Sequence, residues 1–247
     1  MTLSSTNCPD GTSATHDTIA CELTAFSREQ LTHEAPALVA YLRARLANTH
    51  PGVSSDLDGH IEDGHIETEG GAAGLALYGS DVRRAAVLAP IFARDNAPHL
   101  LFTVRSASLS SHRGQISFPG GSRDPDDRTL GETALRETYE ELAINTAHIA
   151  LLGALPTVFT AVSNFLVTPY VGWLADGLPM LTPNPDEVAE VFEAPLAALA
   201  DPAIYHAETW NRGGIAHTVH FYDFGAYRIW GLTGHFLHTL LALLPAA

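Results

Sequence analysis

The chain has 247 residues, of which 46% are hydrophobic and 17% are charged. This length and composition suit one globular core with an appendage and exclude a fibre, a disordered chain and two ordinary domains. The 28 acidic and 13 basic residues give a net charge of −15 at pH 7, which makes duplex nucleic acid and anionic membranes poor partners. Every basic residue is an arginine, so Schiff-base chemistry and a P-loop lysine are excluded. An anionic substrate would need a divalent cation or a local group of arginines.

The cysteines and the opening residues indicate where the protein resides. The two cysteines, Cys8 and Cys21, lie near the N-terminus and cannot build a disulfide framework or a cysteine metal site. The first residues lack the basic and apolar regions of a secretion signal, and no apolar run reaches the ~20 residues of a spanning helix. We therefore expect a cytoplasmic protein without a membrane partner, and the sequence leaves a homodimer open.

Three regions are predicted along the chain. Residues 1–22 are polar and rich in serine and threonine, and they are expected to form a loose arm. Residues 23–82 are expected to hold one amphipathic helix or two short ones, up to Ala47, followed by an acidic, glycine-rich loop that repeats Asp-Gly-His-Ile-Glu. Residues 83–247 are expected to form the main domain.

The main domain mixes strands and helices. Apolar runs at Ala85–Phe92 and His99–Arg105, separated by a turn, predict a β-hairpin. The elements predicted after it are a strand at Gln115–Phe118, a break at Pro119–Gly121, a helix at Thr129–Leu142, strands at His148–Leu155, Asn164–Trp173 and Val188–Phe192, a short helix at Leu196–Ala200, strands at Tyr205–Trp210 and His217–Tyr222, and a last helix at Gly231–Leu244. This order predicts an α+β fold, with a mixed sheet flanked by helices.

The predicted helix at Thr129–Leu142 carries a cluster of acidic residues. At about 100° per residue, Glu137, Glu140 and Glu141 share one quadrant of the helix, and apolar residues occupy another face. Like charges at this spacing repel each other, so a cation is expected on this face. Oxygen ligands without histidine or cysteine favour Mg²⁺ or Mn²⁺, and the preceding Gly120-Gly121 would let a phosphate approach closely.

These residues resemble the Nudix box, G-x5-E-x7-R-E-U-x-E-E-x-G-U, in which U is aliphatic. The run from Arg136 to Ile144 matches its second half, except that Thr138 replaces an aliphatic residue and Ala143 replaces glycine. Upstream, Asp127 stands where the box has glutamate, one residue farther from the arginine than in the box. The resemblance implies a Nudix hydrolase domain at 83–247, folded as an α/β/α sandwich, that cleaves the diphosphate of a nucleoside diphosphate linked to another group.

A second motif resembles the coenzyme A pyrophosphatase branch of that family, L-L-T-x-R-[SA]-x3-R-x3-G-x3-F-P-G-G. The chain follows the spacing of this motif at Leu101–Ser106, at Gly114 and at Phe118–Gly121, and it has Ser110 in place of the second arginine. Two later stretches, at Pro183–Phe192 and Tyr227–Thr233, are also similar to this branch. The resemblance implies cleavage of CoA or an acyl-CoA to 4′-phosphopantetheine and adenosine 3′,5′-bisphosphate.

The resemblance and the helix pattern together assign roles to individual residues. Mg²⁺ or Mn²⁺ is expected on Glu137, Glu140 and Glu141, and Arg136 is expected to orient these carboxylates by salt bridges. The proton of the attacking water is expected to pass to Glu187 or to a glutamate of the box such as Glu141. The predicted substrate contacts are Arg105, Ser106, Arg113, Gly120 and Gly121.

Two other functions remain open at this point. Because Ser110 replaces an arginine of the motif, the substrate could instead be ADP-ribose, a dinucleotide or another nucleoside diphosphate derivative. A Nudix-like module could also bind a nucleotide without cutting it, although a pure binder has no need of a repulsive cluster of carboxylates.

Overall fold

The computed structural model describes residues 26–47, 82–107, 114–160, 163–212 and 215–246. The predicted arm at 1–22, the glycine-rich loop, Ser110 and Arg113 lie outside the described residues. None of the helices described is long and apolar enough to cross a membrane.

Helices and strands alternate irregularly along the described chain. The helices are α1 (Arg28–His33), α2 (Ala35–Leu46), α3 (Leu130–Leu142), α4 (Leu196–Leu199) and α5 (Gly231–Ala242), with 3₁₀ turns at Thr146–His148 and Pro202–Ile204. The strands are β1 (Arg83–Arg94), β2 (Ala97–Arg105), β3 (Ile116–Ser117), β4 (Gly120–Ser122), β5 (Ile149–Ala154), β6 (Val158–Thr160), β7 (Phe165–Leu174), β8 (Val188–Pro195), β9 (Tyr205–Arg212), β10 (Ile215–Phe224) and β11 (Tyr227–Ile229).

The main sheet has the order β3-β2-β1-β7-β5, with β4 on β1, β6 on β7 and β8 on β2. The pair β1–β7 is parallel and the other described pairs are antiparallel, so the predicted mixed sheet is confirmed. The predicted hairpin is also confirmed. Asp95 and Asn96 form its turn with φ of 52° and 66°, the left-handed conformation that a two-residue hairpin loop requires.

Helices cover both faces of the main sheet. Leu100 and Phe102 of β2 pack in one buried cluster and Leu101 packs in another, because successive side chains of a strand point to opposite faces. The cluster of Leu101 includes Ala134 and Leu142 of α3, and the opposite cluster is filled by α2 and α5. The predicted α/β/α sandwich with extra N-terminal helices is therefore confirmed.

The N-terminal helical segment is two helices rather than one. The chain is extended at Glu34, with φ of −121°, and this residue ends α1 and precedes α2. Pro36 lies in the first turn of α2 and has no N–H to donate to the carbonyl of Thr32, so a continuous helix would lose a hydrogen bond there.

The sequence analysis missed three strands and a second sheet. The predicted break at Pro119–Gly121 is wrong in part, because β4 begins at Gly120 and pairs with Ala85–Val87. A Cβ on Gly120 would lie 2.4 Å from the carbonyl oxygen of Ala86, so glycine permits this close pairing. The strands β6 and β11 were not predicted. The strands β9, β10 and β11 form a separate three-stranded sheet instead of extending the main one.

A cluster of histidines and tyrosines joins this small sheet to α5. The rings of His220 and His238 are stacked, with centroids 3.8 Å apart. Tyr205 Oη lies 3.0 Å from Nδ1 of His220, and Tyr222 Oη lies 3.2 Å from Nδ1 of His238. Burial, together with the neighbouring His238 and His235, lowers the pKa of His220 to about 4. The folded protein therefore keeps His220 neutral at neutral pH.

We predict that this cluster makes the free energy of unfolding depend on pH. The unfolded chain binds a proton at His220 near its ordinary pKa of 6.5, whereas the folded chain binds it near 4. The unfolded state thus holds more protons between these values, and stability falls as the pH is lowered through that window. His220→Asn, which keeps a polar atom near Nδ1, is expected to flatten this slope in urea unfolding between pH 7.5 and 4.5. An equal slope in both proteins would contradict the assignment.

Candidate functional site

Helix α3 begins and ends at residues that fix its position on the sheet. The hydroxyl of Thr129 caps its first turn by accepting a hydrogen bond from the N–H of Glu132, at 3.1 Å. Ala143 ends the helix in the left-handed conformation, with φ of 57°, and its N–H donates to Tyr139. Alanine adopts the conformation for which the family motif has glycine, at a cost of about 1–2 kcal/mol. The predicted acidic helix is therefore present with a defined end.

Three carboxylates converge beside this helix. Glu137, Glu141 and Glu187 each place one carboxylate oxygen so that all three oxygens lie within 4.8 Å of one another. Two glutamates come from α3, and Glu187 comes from the segment just before β8. Glu187 is brought there by strand pairing, because the N–H of Ser106, the residue just after β2, donates to the carbonyl of Glu187 at 2.8 Å.

The cluster is electrostatically costly without a cation. Glu141 is only 2% exposed, and burial raises its pKa to about 8, with Glu187 and Glu137 adding repulsion. The charge of Arg105 and the backbone N–H of Gly120 lower that pKa in part. Burial also raises the pKa of Glu137. Oε2 of Glu141 is buried and has no hydrogen-bond partner among the described residues. An unpaired buried oxygen among hard oxygen donors fits a divalent metal ion.

Arg136 links the cluster to a buried aspartate. Its Nε and Nη2 donate to the two carboxylate oxygens of Asp127, at 3.0 and 2.9 Å. Its Nη1 donates to Glu137 at 2.9 Å and to Glu140 at 3.0 Å. Burial alone would raise the pKa of Asp127, but the hydrogen bonds from Arg136, Asp124 and Thr133 lower it overall. Asp127 therefore stays ionised and holds the guanidinium that orients Glu137.

Glu140 occupies a different position from the other two glutamates of the helix. Its side chain is 50% exposed and pairs with Arg136, and its carboxylate is not part of the converging cluster. Of the three predicted metal ligands, the structure brings Glu137 and Glu141 together with Glu187, which the sequence analysis had assigned to proton transfer. The role of Glu140 as a ligand stays a prediction.

The predicted substrate contacts that the structure describes, which leave out Arg113, lie at two edges of this cluster. A Cβ on Gly121 would lie 2.5 Å from the carboxylate carbon of Glu137, so the glycine lets β4 approach the cluster. Arg105 ends β2, and its Nε is buried without a hydrogen-bond partner among the described residues. Ser106 follows it and is buried. Arg105 thus holds a cationic group beside Glu141, where a phosphate could use its remaining donors.

The sequence analysis did not identify Asn184, which contacts two members of the cluster. Its Nδ2 donates to Oε1 of Glu187 at 3.2 Å, and its backbone N–H donates to the carbonyl of Glu141 at 2.8 Å. The available signal was the run Asn184-Pro185-Asp186-Glu187, which is typical of a turn stabilised by an asparagine side chain.

We predict that Asp127→Asn lowers the free energy of unfolding by about 2 kcal/mol. The amide keeps the shape of the side chain but removes the charge that Arg136 needs, and breaking a fully buried pair costs ~3–5 kcal/mol. We expect a smaller loss than this range because the side chain of Arg136 is 29% exposed, so solvent screens its interaction with Asp127. The matched control is Asp124→Asn, because Asp124 is exposed and its acceptor role toward the N–H of Asp126 survives the change. Equal urea-unfolding midpoints for the two variants would contradict this role of Asp127.

Comparisons with known proteins agree on one family. The model of the NUDIX domain matches residues 82–213. Proteins named uncharacterized Nudix hydrolase NudL are 45% identical in Photorhabdus laumondii, over 64% of this chain and 83% of the relative, and 44% identical in Pectobacterium atrosepticum, over 64% and 81%.

Solved structures give more distant matches. The NUDIX domain of Shewanella oneidensis NrtR, complexed with ADP ribose, is 23% identical over 53% of this chain and 84% of that one, with a TM-score of 0.40. A Caenorhabditis elegans Ap4A hydrolase is 18% identical over 47% and 82%, also with a TM-score of 0.40. The family match covers more than half of the 247 residues and includes the helix of the three-carboxylate cluster, so this chain belongs to the Nudix hydrolase family.

Proposed function

We propose that this chain is a Mg²⁺- or Mn²⁺-dependent pyrophosphohydrolase that cleaves CoA or acyl-CoA to 4′-phosphopantetheine and adenosine 3′,5′-bisphosphate. The observation that carries the hydrolase part is the convergence of Glu137, Glu141 and Glu187 around a buried oxygen without a partner. Three carboxylates in this arrangement repel each other unless a cation is bound, so a role in binding a divalent ion explains why the fold brings them together.

Glu137, Glu141 and Glu187 would hold the cation, and Glu140 would join them from the exposed side of α3. Arg136 is shared by Glu137 and Glu140, so it orients both carboxylates toward one region. A bound divalent cation would neutralise charge on the diphosphate and lower the pKa of a water molecule.

The other residues of the site act on the substrate and on the proton. Arg105, at the end of β2, would bind a phosphate oxygen, with Ser106 and Arg113 as further contacts. Gly120 and Gly121 would let the diphosphate lie close to the backbone of β4. The proton of the attacking water would pass to Glu187 or Glu141, whose carboxylates lie in the cluster where the water would bind.

The choice of CoA rests on the upstream motif. The two parts of this motif lie along β2 and β4, the strands that border the carboxylate cluster. The first part is Leu101–Ser106, at the end of β2, and the second is Phe118–Gly121, which leads into β4. The serine at 110 removes one arginine of the motif, so the rival substrates are ADP-ribose, a dinucleotide or another nucleoside diphosphate derivative. Binding without cleavage is the remaining alternative.

The first test is a panel of substrates. We expect purified protein with Mg²⁺ or Mn²⁺ to convert CoA to 4′-phosphopantetheine and adenosine 3′,5′-bisphosphate, as followed by chromatography, and to leave CoA intact when EDTA is present. ADP-ribose and NADH are the comparison substrates. Faster cleavage of ADP-ribose or NADH than of CoA would overturn the CoA assignment, and binding without cleavage under several metals would overturn the enzymatic one.

The second test concerns Glu141. We expect Glu141→Gln to lower kcat by at least about 100-fold, because it removes a positioned charge at the reacting group. The free energy of unfolding should not fall, since the amide replaces a carboxylate that burial disfavours. The control is Glu132→Gln on the same helix, where Glu132 pairs with Arg128 outside the cluster. If Glu141→Gln lowers kcat by less than tenfold, the proposed site is wrong.

A further inference from the structure

We propose that Asn184 is a positioning residue, whose side-chain amide holds the carboxylate of Glu187 in the cluster. The inference rests on the proposed function, because it concerns how one carboxylate of the proposed cation site is kept in place. Glu137 is oriented by a charged partner, Arg136, whereas Glu187 receives a hydrogen bond from a neutral amide.

The neighbouring contacts fix which way the amide of Asn184 points. Its Oδ1 accepts a hydrogen bond from the N–H of Asp186 at 3.2 Å, and its Nδ2 donates to Oε1 of Glu187 at 3.2 Å. A rotated amide would turn Nδ2 toward an N–H donor and Oδ1 toward a carboxylate oxygen, and both contacts would be repulsive. The side chain therefore presents a donor to Glu187.

The backbone of Asn184 ties the same segment to α3. Its N–H donates to the carbonyl of Glu141 at 2.8 Å, and the N–H of Thr182 donates to the carbonyl of Leu142 at 3.1 Å. These bonds satisfy two of the carbonyls that a helix leaves free at its C-terminus. The carbonyl of Asn184 in turn accepts from the N–H groups of Glu187 and Val188, at 3.0 and 2.8 Å. Asn184 thus connects the helix of Glu141 with the strand that follows Glu187.

A neutral donor suits this position for an electrostatic reason. Glu187 lies among like charges, and a carboxylate that is not held would turn away from Glu137 and Glu141 toward solvent. An arginine in place of Asn184 would hold it but would also neutralise part of the charge that attracts a cation. The amide restrains the carboxylate and leaves its full negative charge for the metal.

The test is a titration with Mn²⁺ alone, followed by the EPR signal of the free ion, on the full chain. Asn184→Ala is expected to weaken Mn²⁺ binding by about tenfold, the lower end of what the loss of a hydrogen bond to a metal-ligating side chain costs. The matched control is Asn145→Ala. The Oδ1 of Asn145 likewise accepts a hydrogen bond from the backbone N–H two residues later, that of Ala147, at 3.0 Å, but Asn145 is exposed on another loop. The control is expected to change binding less than about twofold.

A double-mutant cycle with Glu187→Ala separates positioning from a general loss of structure. If Asn184 acts through Glu187, adding Asn184→Ala to Glu187→Ala should weaken Mn²⁺ binding by less than about a further twofold. A tenfold loss in both backgrounds, or no loss from Asn184→Ala in the native background, would overturn the proposal. If Asn184→Ala does not fold, Asn184→Ser, whose hydroxyl can still accept from Asp186, takes its place with the same expectations.

The Glu187→Ala and Glu137→Ala variants show whether a negative result concerns only the role of Asn184 or the proposed cation site itself. If neither changes the affinity for Mn²⁺, the cluster is not a cation site, and both proposals fall. If both weaken binding while Asn184→Ala leaves it unchanged, the cation site stands and only the role of Asn184 is overturned.

Discussion

The candidate site depends on holding three acidic side chains with their oxygens within 4.8 Å of one another at a partly buried position. Burial and mutual repulsion both act against this arrangement, as the raised pKa of Glu141 shows. The compensation comes from outside the cluster, through Arg136, Asn184 and the pairing of β2 with β8. A bound cation would make the arrangement favourable, because its positive charge would offset the repulsion among the carboxylates.

Some residues that build the cluster are close to α3 in the sequence, and others are far from it. Arg136 and Asp127 lie within or just before α3, so this support forms together with the helix. Glu187 arrives from more than forty residues farther on, and it reaches the site because the end of β2 pairs with the start of β8. The bulge between Val104 and Arg105 changes the register at this point, where Arg105 and Ser106 come beside Glu187. Helix and sheet must therefore both form before the three carboxylates meet.

The contrast between local and distant contacts explains what the sequence could predict. The helical period placed Glu137 and Glu141 on one face because this depends only on the geometry of a helix. It could not separate Glu140 from them, since the position of β8 decides which part of that quadrant meets Glu187. The strand at Gly120 escaped detection because two glycines carry no strand propensity and pair only where β1 leaves room. The histidine cluster was missed because it joins residues of different elements.

The second sheet supports the site from the far side of the main sheet. Tyr227 of β11 stacks on Phe192 of β8, with ring centroids 3.7 Å apart, and donates a hydrogen bond to Glu190. The hydroxyl of Thr233, in α5, donates to the carbonyl of Ile116 in β3, the strand that leads into Gly120 and Gly121. The strand that follows Glu187 and the strand that precedes Gly120 are thus both fastened to the C-terminal elements. Because β3 is only two residues long, its few backbone bonds alone would hold the glycine segment weakly, and this contact from α5 helps to keep β4 against the carboxylates.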